Sequence, residues 1–143
     1  MTQRGNLVTW GRCLRLSLLP TAMADGLAGF AIAGLSEFPT DEKLLLFASS
    51  GCVYHGAMAL NDWADRDKDS IERPDRPIPS GKLKAGHVLL LASALISLGL
   101  GIAYSLDLRL FALMAAIAAT AVAYDLWLRG PLLGPLCLGL CRA

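Results

Sequence analysis

Apolar residues gather in long runs along this chain, and polar residues gather between them. The runs cover about residues 14–35, 44–61, 87–106 and 110–128, with a shorter one over 131–143. At 1.5 Å of rise per residue, about 20 apolar residues carry a helix across a hydrocarbon core of about 30 Å. The pattern predicts an all-α, polytopic transmembrane helix bundle forming one domain over 1–143. It has about four full spans and a truncated fifth, because the 13 residues from Pro131 are too few for a crossing. No cleavable leader is expected, since the first run is long and lacks a clear small-residue cleavage site.

Small residues mark faces for close helix contact. They are Ala24, Ala28, Gly29 and Gly34 in the first run, Ser93, Ser97 and Gly101 in the third, and Ala115, Ala119 and Ala123 in the fourth. Asp25 is an acid at membrane depth. It reads either as a pocket-lining group or as an acid bonded to a neighbouring helix.

Composition agrees with a membrane chain: 55% of residues are hydrophobic and the mean hydropathy is +0.50. A net charge of +1 argues against a nucleic-acid partner. The four cysteines form no Cys-x-x-Cys pair, and Cys137 and Cys141, one turn apart, read as small packing residues. Charge is concentrated in the connection 61–86, where six acids and six bases lie between Asp62 and Lys84. Lysine and arginine are dense before the first run and in this connection, and sparse in the connections that flank it. That bias predicts an integral multi-pass protein with the N-terminus and the acidic connection on the cytoplasmic side.

The acidic connection carries the candidate chemistry. On a helix at ~100° per residue, with Asn61 at zero, Asp65 falls near ~40°, Asp69 near ~80° and Asp62 near ~100°. Tyr54 and Met58 share that arc, whereas Asp67 points away and reads as a solvated acid. Tyr54 is either a pocket wall or an interfacial anchor. His55, at the edge of the arc, reads as a hydrogen-bonded core histidine rather than a base. Carboxylates packed this closely repel unless a cation neutralises them, and all-oxygen ligands beside phosphate suit magnesium. The basic residues follow in a proline-stiffened stretch, with Arg73, Arg76, Lys82 and Lys84 among Pro74, Pro77 and Pro79. Guanidinium forks bind phosphate oxygens. Acids, then bases, at the mouth of an apolar bundle suit magnesium-assisted binding of a diphosphate with an apolar tail.

The run Asn61-Asp62-x-x-Asp65-x-x-x-Asp69, followed by Glu72-Arg73-Pro74-x-Arg76-Pro77-Ile78-Pro79-Ser80-Gly81, resembles the first aspartate-rich motif of the UbiA superfamily of intramembrane prenyltransferases. The resemblance extends from about Arg12 to the end of the chain, and its last residues look most like the branch called EboC-like. It implies the first half of a ring of nine helices and a magnesium-dependent transfer of a prenyl group from a prenyl diphosphate to an acceptor, often aromatic. Asn61, Asp65 and Asp69 would hold magnesium, with Asp62 as a further acid of the catalytic set. Arg73, Arg76 and, by the family's pattern after the fourth span, Arg129 would bind the diphosphate. Tyr124, Tyr54 and Asp25 would line the pocket among membrane lipid. The family's second aspartate-rich motif has no counterpart here, so a fragment is expected, or a half completed by a second chain or a second copy. The alternative is a non-catalytic membrane fragment or interaction protein retaining the first motif. A calcium loop starting at Asp65 fails, because Ser70 stands where glycine is required and Arg76 where glutamate is required. A transporter is disfavoured because the charges cluster in one loop rather than across a span.

Overall fold

The computed structural model describes residues 3–20 and 39–127. The first apolar run from residue 21 onward, Asp25, Arg129, Cys137, Cys141 and the run 131–143 lie outside the described residues. Five helices and a single 3-10 turn make up the described chain: α1 Gln3–Cys13, the turn Leu16–Leu18, α2 Thr40–Ala64, α3 Arg66–Glu72, α4 Ala85–Leu106 and α5 Leu108–Leu126. Helices α2, α4 and α5 are each long and apolar enough to cross a membrane. The described residues are all-helical, and these apolar helices mark an integral membrane protein.

Helix boundaries follow local chemistry. Pro39 precedes the first turn of α2, where its missing N–H costs no intrahelical bond, and Asp41 and Glu42 in that turn complement the helix dipole. The polar stretch 40–43 is therefore helical. The polar N-terminal stretch forms α1. The first apolar run does not begin as a straight helix at residue 14, because Arg15 adopts the left-handed conformation, φ 51° and ψ 44°. Helix α3 stops at Arg73, whose φ of −145° and ψ of 62° leave the helical region before Pro74. Between α4 and α5 the chain turns on Asp107 alone. Its backbone is extended and its carboxylate accepts hydrogen bonds from the Arg109 and Leu110 N–H groups, at 2.7 and 3.2 Å.

The most extensive packing joins α2 to α4. The buried positions of α4 are Val88, Ala92, Gly99 and Ala103. Ser93, Ser97 and Gly101, the face expected to meet another helix, are exposed. Gly99 lets the backbones meet closely enough for the Ser49 hydroxyl to donate to the Gly99 carbonyl at 2.8 Å. In α5, Ala118 is buried and Ala119 is not, so that seam is also displaced by one residue.

The core cluster sits at the end of the bundle where α2 meets α3. It contains Cys13, Ala59, Leu60, Leu83, Val88 and Ala92, bordered by Trp10, Trp63, Ile78 and Val122. Leu83 and Ile78 draw the proline-rich loop after α3 back over the end of α2. Loop bonds from Ser80 N to Arg76 O at 2.9 Å and from Leu83 N to Pro77 O at 2.9 Å fix the fold-back. Gly81 takes the left-handed turn it requires, with φ of 71°.

Candidate active site

The acids of the connection lie on a nearly continuous helix. Asp65 separates α2 from α3, yet it keeps right-handed helical angles, φ −83° and ψ −3°. The ladder runs through it, from Asp65 N to Asn61 O at 2.9 Å and from Asp69 N to Asp65 O at 2.8 Å. Asp62 and Asp69, seven residues apart, therefore face the same side. Both are buried, at 6% and 4% exposure. Asp65 is half-buried at the junction, and Asp67 is exposed, its carboxylate 3.6 Å from Arg66.

A single guanidinium ties the buried pair together. Arg76 Nη1 donates to Asp62 Oδ1 at 3.0 Å and to Asp69 Oδ2 at 2.8 Å. The folded-back loop places it there. Arg76, expected on a diphosphate, is engaged by the acids in this structure. Arg73, three residues earlier, is exposed. A second guanidinium arrives from the N-terminal segment: Arg15 Nη2 donates to Asn61 Oδ1 and Asp62 Oδ1, both at 3.4 Å. The left-handed backbone at Arg15, a conformation costing an L-residue about 1–2 kcal/mol, turns the chain at the residue that supplies this contact. From the other side, Asn61 Nδ2 donates to Asp125 Oδ1 at 2.8 Å, and Asp125 is buried near the end of α5.

Arg15 and Asp125 were not among the residues singled out from the sequence. Asp125 carried a signal, being an acid near the end of an apolar run, which is the argument applied to Asp25. Arg15 carried only its position at the edge of the first run. Tyr54 is half-buried and packs edge-on against the His55 ring, 5.2 Å between centroids. Tyr124 is half-buried beside Asp125 in sequence. His55 Nδ1 donates to the Leu14 carbonyl at 2.8 Å, so this histidine tethers the N-terminal segment to α2. Its Nε2 is buried without a partner among the described residues.

The oxygen-rich set of Asn61, Asp62, Asp65 and Asp69 suits a hard cation by donor chemistry. As arranged, no three His, Cys, Asp or Glu side chains among the described residues stand close enough to hold an ion.

Cys13 lies in the core beneath this cluster with no exposed surface. Burial, reinforced by the nearby Asp62 carboxylate, pushes its thiol up to about 11, although Arg15 and Arg76 pull the other way. The thiolate is the reactive form, so at pH 8 only about one Cys13 in a thousand is poised to react. Cys13 is expected to resist maleimide in the folded protein at pH 8 and to label once the protein is unfolded. Peptide mass mapping reads both states, and rapid labelling of the folded form would contradict the burial.

The model of the UbiA prenyltransferase family matches residues 18–143. A digeranylgeranylglyceryl phosphate synthase of Methanosarcina barkeri is 36% identical over 72% of this chain and 36% of its own length. One from Methanothrix thermoacetophila is 31% identical over 76% of the chain and 41% of its own length. A chloroplastic chlorophyll synthase of Oryza sativa is 40% identical over 57% of the chain and 23% of its own length. A solved structure described in terms of digeranylgeranylglyceryl phosphate synthase in membranes superposes with a TM-score of 0.90 at 24% identity. It covers 96% of this chain and 50% of its own, and it shows the shared fold. The chain thus spans well under half the length of both archaeal synthases.

Proposed function

The chain belongs to the UbiA prenyltransferase family, and from that premise we propose that it binds a prenyl diphosphate at the α2–α3 acid cluster and supplies one half of a prenyl-transfer site. The observation that supports this most directly is the pair of buried carboxylates, Asp62 and Asp69, at one end of three membrane-length helices. Burying acids is costly unless they are paired, so two buried carboxylates at the end of apolar spans support a functional role. The remaining part of the site, on the same polypeptide, a second chain or a second copy, completes the bundle.

In this reading Asn61, Asp65 and Asp69 hold magnesium, with Asp62 as an additional acid. Bound magnesium neutralises diphosphate oxygens as their charge develops. Arg73 and Arg129 bind the diphosphate, and Arg76 joins them when it leaves the acids. The apolar faces of α2, α4 and α5 take the prenyl tail and keep water from the allylic carbon. Tyr54, Tyr124 and Asp25 line the pocket. An acceptor atom attacks that carbon, the carbon–oxygen bond to the diphosphate breaks, the diphosphate leaves with the electron pair, and the proton lost by the acceptor atom passes to the leaving diphosphate or to solvent. The acceptor is an aromatic ring or, by analogy with the glyceryl phosphate synthases, an alcohol. The acidic connection faces the cytoplasm, where basic residues accumulate.

The test is binding of a non-hydrolysable prenyl diphosphate analogue to the purified full chain in detergent, with and without magnesium. Magnesium-dependent binding that Asp65→Ala removes is expected. A folded chain that binds no analogue at all would instead be a membrane piece carrying the acid cluster without its activity.

A further inference from the structure

Arg76 occupies the centre of the acid cluster, and this position has its own consequence. Resting on the reading of that cluster as the diphosphate site, we propose that Arg76 is a built-in counter-cation that latches Asp62 to Asp69 until substrate arrives, and that a divalent ion must displace it.

Three observations carry this. One nitrogen, Nη1, serves both carboxylates at 3.0 and 2.8 Å, so Arg76 is the cation the two acids share, whereas Arg15 reaches Asp62 alone. The carboxylates are nearly sealed, whereas the Arg76 side chain retains 23% of its exposure and therefore has a path to solvent. The loop carrying Arg76 is anchored elsewhere, by Leu83 and Ile78 in the core. The side chain can therefore swing away while the loop stays in place.

Charge requires the exchange to be one cation for another. Withdrawal of Arg76 alone leaves buried Asp69 without a cation and Asp62 with only the longer Arg15 contact, which is strongly unfavourable, so Arg76 does not leave until another positive charge replaces it. Arg15 is not that replacement, because its contact with Asp62 is longer, at 3.4 Å, and among the described residues no hydrogen bond joins it to Asp69. A diphosphate offers the withdrawn guanidinium a new anion at the moment its metal takes the acids. The latch therefore makes metal and diphosphate bind together and keeps the metal alone weakly bound. Arg76 acts here as a positioning residue.

The experiment titrates the full chain in detergent with Mn2+ alone, read by electron paramagnetic resonance and by thermal shift. Arg76→Gln is expected to bind Mn2+ at least about tenfold more tightly than the unaltered chain, since an arginine beside a carboxylate weakens its hold on a proton by about 10- to 1,000-fold and a metal ion meets the same competition. Lys68→Gln removes an equal charge from an exposed neighbour of Asp69 and is expected to change the affinity little. If Arg76→Gln is unfolded without metal, Mn2+ is expected to restore its folded transition; a variant that stays unfolded at every Mn2+ concentration overturns the latch. Equal or weaker Mn2+ binding in folded Arg76→Gln also overturns it, leaving Arg76 a structural salt bridge and the diphosphate site intact. Absence of Mn2+ binding in both proteins overturns the latch and the metal reading together.

Discussion

Asp69→Ala is expected to abolish magnesium-dependent binding of a prenyl diphosphate analogue, while Asp67→Ala leaves it unchanged. The two acids are two residues apart, yet their surroundings differ completely. The Asp69 side chain is 5% exposed and bonded to Arg76, whereas that of Asp67 is 87% exposed and meets Arg66 at 3.6 Å. An exposed pair of that kind contributes about 0–1 kcal/mol and organises nothing around it. On the proposed reading, removing Asp69 deletes an oxygen donor to magnesium, and it frees Arg76 from one of its two partners. Even residues that only support a metal ligand cost about 10–100-fold in metal affinity when removed, and a ligand itself should cost no less. Isothermal titration of both variants against the unaltered chain makes the comparison, and equal losses would refute the assignment of faces.

The largest stability effect is expected at Gly99. A Cβ there would lie 2.7 Å from the Ser49 carbonyl oxygen, 2.8 Å from Val53 Cγ2 and 3.2 Å from Cys52 Cβ. The nearest obstacle is backbone, which cannot rotate out of the way as a side-chain tip can. Gly99→Leu forces α2 and α4 apart, at a cost of about 1–3 kcal/mol or more by the usual penalty of overpacking. Gly101, two residues along, has nothing within 4 Å of its would-be Cβ. Gly101→Ala is expected to hold or raise stability, since alanine is favoured over glycine in a helix by about 1 kcal/mol. Thermal unfolding in detergent should separate the two variants clearly. Similar midpoints would mean that the α2–α4 contact is looser than these distances imply.

The two glycines of α4 differ in a way the sequence carries only in part. Run length located α4 closely: apolar residues 87–106 became Ala85–Leu106. Which face of α4 meets α2 was not legible. The repeat of Ser93, Ser97 and Gly101 is real, but small residues permit close approach without stating which neighbour uses it. The face in use interleaves Gly99 with the larger Val88 and Ile96. In the site, the shared orientation of Asp62 and Asp69 follows from helical geometry within one segment. The contacts of Asn61 and Asp62 with Arg15 and Asp125 close over 46 to 64 residues, and no local periodicity carries that information. Helix α1 was hidden because its sequence is polar, and helical propensity in a short polar segment is a weak signal until packing adds to it.

The one-residue corner at Asp107 bears on how the protein is made. Helices α4 and α5 meet there with no intervening linker, and their 22 and 19 residues match in length. Neither helix can lie deep in lipid while the other remains outside, because the corner gives no slack. The pair should enter the bilayer as a preformed hairpin, each backbone already satisfied by its own ladder. On the proposed orientation, its leading tip carries a single acid and a single base, Asp107 and Arg109, across the hydrocarbon. Asp107 makes that passage with two of its hydrogen bonds already supplied by the start of α5.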